Sequence, residues 1–169
     1  YNYKSEAKLG YYKVEIFKAY SPYYFDYKEK LLCIVSAINL VKLLTVESQS
    51  NVNVFNLIGD LYSIFNKNDW VKEYIFWELK LLEIVGFNLQ LNKIAKSEVI
   101  NNEKKYFVGS NSEKKYIPNF LIDRDEKKLD KKTLSKALKL VGDFLEKNVL
   151  KPNNISYPNS RLEFVNLFK

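Results

Sequence analysis

The 169-residue chain has no histidine, no methionine, one cysteine (Cys33), five glycines and only two arginines, Arg124 and Arg161. Each absence closes off a class of chemistry. A single cysteine forms no intramolecular disulfide. Without histidine the usual zinc sites, the Ser-His-Asp and Cys-His constellations and the commonest general acid or base are missing. The glycines are scattered singly and form no phosphate-cradling loop. No window approaches the roughly 18 consecutive apolar residues of a membrane span. The charged opening YNYKSEAK lacks the apolar core of a secretory signal. The sequence therefore reads as a soluble, cytoplasmic protein that is not an enzyme, with no metal, no cofactor and no membrane partner. The missing initiator methionine reads as the mark of an excised piece or a processed product.

What is present is apolar bulk and a lopsided charge. The chain is 47% hydrophobic and 15% aromatic, which argues for a packed core rather than disorder. Cys33, inside LLCIVSAINLV, reads as a small buried hydrophobe. Residues 1 to 92 hold 10 Lys/Arg against 10 Asp/Glu, so the whole net charge of +7 falls in residues 93 to 169. A basic half favours phosphate or an acidic peptide as partner, through counterion release and steering. The candidate contacts are Lys104, Lys105, Lys114 and Lys115, followed by Lys127, Lys128, Lys131 and Lys132. The competing reading is a solvated lysine face in a chain rich in Lys, Asn, Ile, Tyr and Phe throughout. Asp123, Asp125 and Glu126 could suggest a carboxylate metal site, but Arg124, Lys127 and Lys128 interleave with them, as in a solvated charged turn.

Periodicity outlines mainly α architecture, a helical bundle with a small inserted β-hairpin. Residues 1 to 20 read as extended chain, with Gly10 at a turn and Tyr1, Tyr3, Tyr11 and Tyr12 as candidate stacking aromatics. Residues 27 to 47 are apolar almost all round and predict a helix at the bundle centre. Residues 52 to 66 repeat apolar side chains on one side. Asn68-Asp69 signals an N-cap for a helix from Trp70 to Val85, closed by Gly86. From 88 to 132 helical spacing breaks, and Tyr106 to Val108 and Tyr116 to Ile117 read as two short strands, in an insertion at about 98–125. A helix follows over about 131 to 149. The segment SRLEFVNLF opens with Ser160 and Glu163 in capping-box spacing.

One carboxylate is out of place. On a helical wheel Glu78 falls between Leu81, Val85, Leu82 and Ile75, while Lys72, Glu73, Lys80 and Glu83 share the solvent side. A buried carboxylate needs a cation, and a guanidinium is a better partner than an ammonium because its planar fork grips both oxygens. Arg161, at the head of an apolar terminal helix, is the predicted partner, in a structural ion pair.

Three stretches also carry a family likeness. FWELKLLEIVGFNLQL is similar to the Phe-Glu-Leu helix ending in Leu-Gly-Phe/Tyr of the RecO family of bacterial recombination mediators. LGYYKVEIF resembles the closing strand of that family's OB domain, and NSRLEFVNLF its terminal Ser-Arg helix. Order and spacing fit across nearly the whole chain. The resemblance implies residues 1–20 as the last strand or strands of an otherwise absent OB barrel, and 21–169 as a helical domain with a hairpin insertion. It implies binding and annealing of single-stranded DNA, contact with RecR and with the C-terminal tail of single-stranded-DNA-binding protein, and, indirectly, the loading of RecA in DNA repair and recombination. Many members hold zinc with cysteine pairs after the Gly-Phe helix end and near the hairpin. Here the first position reads LNKI, Leu91 to Ile94, and residues 95 to 125 contain neither cysteine nor histidine. The hairpin must hold through Tyr106, Phe107, Val108, Tyr116, Ile117 and Phe120 instead. The alternative reading is a helical interaction module that docks an acidic partner without touching DNA.

Overall fold

The computed structural model describes residues 13–16, 18–110, 114–124 and 129–169. The chain is mainly helical, with a small antiparallel sheet set between its third and sixth α-helices. A 3-10 turn, Ser21–Tyr24, leads into α1 (Lys28–Leu44), followed by α2 (Val52–Ile64) and α3 (Trp70–Ile84). After a single turn, α4 (Leu91–Ile94), the sheet is formed by β1 (Lys96–Ile100), β2 (Glu103–Val108) and β3 (Lys115–Ile117). Another short turn, α5 (Phe120–Asp123), precedes α6 (Lys131–Leu145), and the chain ends with α7 (Asn159–Asn166). Lys13–Ile16 and 18–20 carry no strand. Residues 1–12, with Tyr1, Tyr3, Tyr11 and Tyr12, lie outside the described residues.

Helix boundaries follow local chemistry where a side chain can reach the free backbone N–H groups. Asn51 accepts from the Val54 amide at 3.1 Å and so starts α2; Asp130 accepts from the Thr133 amide at 2.9 Å and starts α6. Gly86, at φ 93°, ends α3 in the left-handed region that its lack of a Cβ permits. Two sequence signals failed. Asp69 stands at the start of α3 but makes no side-chain cap. The capping box of α7 does not form: the helix begins from Pro158 without a side-chain cap, and Ser160 Oγ instead accepts from Asn39 Nδ2 of α1 at 2.8 Å. A tertiary partner has taken the hydroxyl.

Two further expectations need correction. The central helix is α3, which packs on α1, α2 and α6. The apolar surplus of α1 is spread over Leu32, Ile38, Leu43 and Leu44, half-buried at the bundle edge, with Val35 exposed. Lys72 is not on a solvent side; only 8% of it is exposed. The core joins Cys33, Ala37 and Leu40 of α1 with Leu61 of α2, Tyr74, Ile75 and Leu81 of α3, Leu138 and Val141 of α6, and Phe164 of α7. Trp77 Nε1 donates to the Leu57 carbonyl at 2.6 Å, fixing α3 to α2.

Among the described residues the sheet has three strands in the order β1-β2-β3, where the sequence suggested two. Asn101 and Asn102, at φ 51° and 63°, make the left-handed pair that a two-residue hairpin turn requires. In the register Glu98 faces Lys105, Tyr106 faces Ile117, and Phe107 faces Tyr116. Alternation then sends Tyr106 and Ile117 into the main core, with Phe120 of α5 beside them. Phe107 is buried on the other face, under Tyr116 and Lys114.

Candidate nucleic-acid interface

Glu78 and Arg161 are each 2% exposed. Arg161 Nε donates to Glu78 Oε1 at 2.9 Å and Nη2 to Oε2 at 2.7 Å, the forked geometry that grips both oxygens. Nη2 also donates to the Leu138 carbonyl at 3.0 Å, and Tyr74 donates its hydroxyl to Glu78 Oε1 at 2.7 Å. Ser36 Oγ lies 3.3 Å from the Tyr74 hydroxyl. One guanidinium thus joins α3, α6 and α7. Burial, the largest single influence, lowers the Arg161 pKa, but the Glu78 charge, the Tyr157 and Tyr74 hydroxyls and the hydrogen bond to Glu78 together reverse this, and the net shift is upward. Burial, then the nearby Glu78 charge, pushes both the Tyr74 hydroxyl and the Cys33 thiol well up, so neither ionises near neutral pH. This cluster is closed to solvent and contacts no groove wide enough for a ligand.

Two grooves lie on the surface of the described residues. A cleft of about 830 Å³ runs between the sheet and the start of α6. Its basic residues are Lys104, Lys105 and Lys136; Ile117, Phe120 and Leu129 supply apolar wall, and Tyr116, Glu103 and Asp123 complete the rim. Asp123 accepts from the Tyr106 hydroxyl at 2.6 Å, and Glu103 lies 4.0 Å from Lys105. The Lys104 ammonium sits 4.6 Å from the Tyr106 ring centre, and its pKa is raised by contact with the Tyr106 hydroxyl. A second groove, of about 610 Å³, has Phe76, Leu79, Leu89 and Leu121 in its wall, with Lys93 and Arg124 among the cations lining it. Arg124 lies 5.5 Å from the Phe76 ring centre and holds a left-handed φ of 53°.

Of the six candidate lysines among the described residues, Lys104 and Lys105 line the first groove. Strand alternation puts Lys104 and Lys105 on opposite faces of β2, yet both reach the first groove. Lys114 is paired with Glu98, which it holds below the usual carboxylate range with help from the Tyr116 hydroxyl. Lys115 is exposed on β3, and Lys131 and Lys132 are exposed in the first turn of α6, outside the groove lining. Lys127, Lys128, Asp125 and Glu126 lie outside the described residues. Lys136 was missed by the sequence reading. Its signal was Lys132, Lys136 and Lys139 at helical spacing on one face of α6. Among the described residues no group of three or more His, Cys, Asp or Glu could hold a metal ion, and no helix is long and apolar enough to cross a membrane.

No solved structure matches the chain. Among curated proteins it is 30% identical over 159 residues to the DNA repair protein RecO of Rickettsia canadensis (strain McKiel), covering 86% of this chain and 65% of that protein. It is 28% identical over 169 residues to the protein of the same name from Rickettsia akari (strain Hartford), covering 93% and 70%. A more distant relative, DNA repair protein RecO of Rhodospirillum centenum, is 22% identical over 154 residues. Residues 28–156 match the family described as "Recombination protein O C terminal". That match runs from α1 through α6, and the chain belongs to the family of recombination protein O C-terminal domains.

Proposed function

We propose that this chain serves DNA repair and homologous recombination as a mediator. It binds and anneals single-stranded DNA and helps load RecA onto strands covered by single-stranded-DNA-binding protein, with RecR as co-partner. Family membership and the repair proteins among its relatives support this reading. The observation that carries it to particular residues is the groove between the sheet and α6, where Lys104 and Lys105 of β2 meet Lys136 of α6. A strand lying there would release counterions from each phosphate it presents. Exposed Lys131 and Lys132 extend the positive surface along α6. The chemistry needed is binding and positioning, and no bond is made or broken.

The second groove favours a protein contact. Its apolar wall beneath Lys93 and Arg124 suits an acidic segment carrying an apolar side chain, the chemistry of the single-strand-binding protein's tail. The test of the leading reading is fluorescence polarisation of a labelled oligonucleotide over a series of salt concentrations. Parent affinity falls log-linearly with salt, and reversing Lys131 and Lys132 to Glu, together with Lys127 and Lys128, weakens binding to every sequence and flattens the slope. Unchanged affinity would leave those lysines as solvated surface.

A further inference from the structure

Tyr116 is half exposed, at 50%, in a chain whose other sheet aromatics, Tyr106 and Phe107, are buried. An exposed aromatic on a strand is commonplace, but this one is held. Its hydroxyl donates to Glu98 Oε1 at 2.6 Å, and the same carboxylate is clamped by the Lys114 ammonium. Its ring stands in an edge contact with Phe107, centroids 6.3 Å apart at 61°, and Phe107 is itself capped by Lys114 at 4.7 Å. The ring is therefore fixed at its tip by a hydrogen bond and at its flank by packing, with half the residue open to solvent. It also lines the groove that holds Lys104, Lys105 and Lys136.

We propose that Tyr116 is a pre-set stacking platform for one unpaired base of a strand whose phosphates lie on Lys104, Lys105 and Lys136. This rests on the DNA-binding reading above and adds to it a residue and a selectivity. A base already stacked inside a duplex cannot lie on a tyrosine face, whereas an unpaired one can. Because the ring is already immobilised by Glu98 and Phe107, little side-chain freedom is lost when the base arrives. The charge is complementary: three lysines line the groove against two acids, of which Asp123 accepts from the Tyr106 hydroxyl and Glu103 lies 4.0 Å from Lys105.

The test compares polarisation of a fluorescent oligothymidylate and of a duplex of equal length on the parent chain, Tyr116→Ala and Tyr116→Phe. Loss of one stacked base weakens single-strand binding by about five- to a hundredfold in Tyr116→Ala. The salt slope and the duplex affinity stay at parental values, and Tyr116→Phe, which keeps the ring but loses its tether to Glu98, binds between Tyr116→Ala and the parent. A 5-iodouracil oligonucleotide also crosslinks to Tyr116, a readout independent of any folding defect. A parent chain that binds DNA with a steep salt slope while Tyr116→Ala matches it, with no crosslink at Tyr116, overturns the stacking platform alone. A parent chain that binds neither nucleic acid, but binds polyglutamate, overturns the DNA reading and the platform with it.

Discussion

Removing the carboxylate of Glu78 leaves the Arg161 guanidinium buried with one protein acceptor, the Leu138 carbonyl, in place of a forked partner. Both residues are 2% exposed, so water cannot stand in for what is lost. Breaking such a pair from one side costs about 3–5 kcal/mol. In a chain of this size each kcal/mol moves the melting temperature by about 2–4 °C, so Glu78→Ala lowers it by roughly 6 to 20 °C. Arg161→Lys keeps a charge but cannot reach both carboxylate oxygens and the Leu138 carbonyl from one planar group, so it recovers part of the loss seen in Arg161→Ala. The decisive variant replaces both partners, Glu78→Leu with Arg161→Met. No charge is then left unpaired, and the remaining cost is that of the Tyr74 hydroxyl and Leu138 carbonyl losing partners, about 1 kcal/mol each. The double variant is therefore more stable than Glu78→Ala. Thermal and urea melts followed by circular dichroism measure all four variants. Single variants within about 1 kcal/mol of the parent, or a double variant as unstable as the sum of its parts, would refute this reasoning.

Three other outcomes follow from the same geometry. A Cβ on Gly142 would stand 2.6 Å from the Tyr157 hydroxyl and 3.5 Å from Arg161 Nη1. Gly142→Ala therefore destabilises in a melt although alanine is the better helix former by about 1 kcal/mol, and adding Tyr157→Phe, which removes the clashing oxygen, restores stability to the parent value or above. Glu98 is held below the ordinary carboxylate range by hydrogen bonds from Lys114 and then Tyr116. Its stabilising effect is therefore full above the unfolded pKa and fades as pH falls through the lower folded value. A carboxyl-carbon NMR titration finds the Glu98 midpoint below that of an exposed glutamate, and moved upward in Tyr116→Phe. A chelator changes neither melting temperature nor DNA binding, because no candidate ligand cluster exists among the described residues; a stoichiometric metal in elemental analysis would contradict this.

Much of the fold was legible because its signals are periodic. The apolar spacing of residues 52–66, 70–85 and about 131–149 matches α2, α3 and α6 to within two residues except at the end of α6, where the chain passes into a π-helical turn over Glu146–Leu150 that no spacing announces. Glu78 was legible for the opposite reason, as a charge that breaks its face. The strand Lys96–Ile100 was missed because KSEVI is short and mostly exposed, although Asn101-Asn102 was a readable turn signal. Lys72 misled because the helical wheel ignores the groove that α3 shares with Leu91 and Leu121. The failed capping box of α7 shows the limit of local motifs: Ser160 had a better partner in Asn39, 121 residues away in sequence. The lysine groove was half legible, since charge counting finds lysines but only the register of β1 to β3 and their placement against α6 decides which converge.

The most direct test is a map of backbone amide shifts in the isotopically labelled chain as an oligothymidylate is added. Binding in the groove between the sheet and α6 moves the amides of Lys104, Lys105, Tyr116 to Phe120 and Thr133 to Lys136, and leaves those of α2 unmoved. Shifts confined to the groove of Phe76, Leu89 and Arg124, or none at saturating oligonucleotide, would contradict the assignment of this surface to DNA.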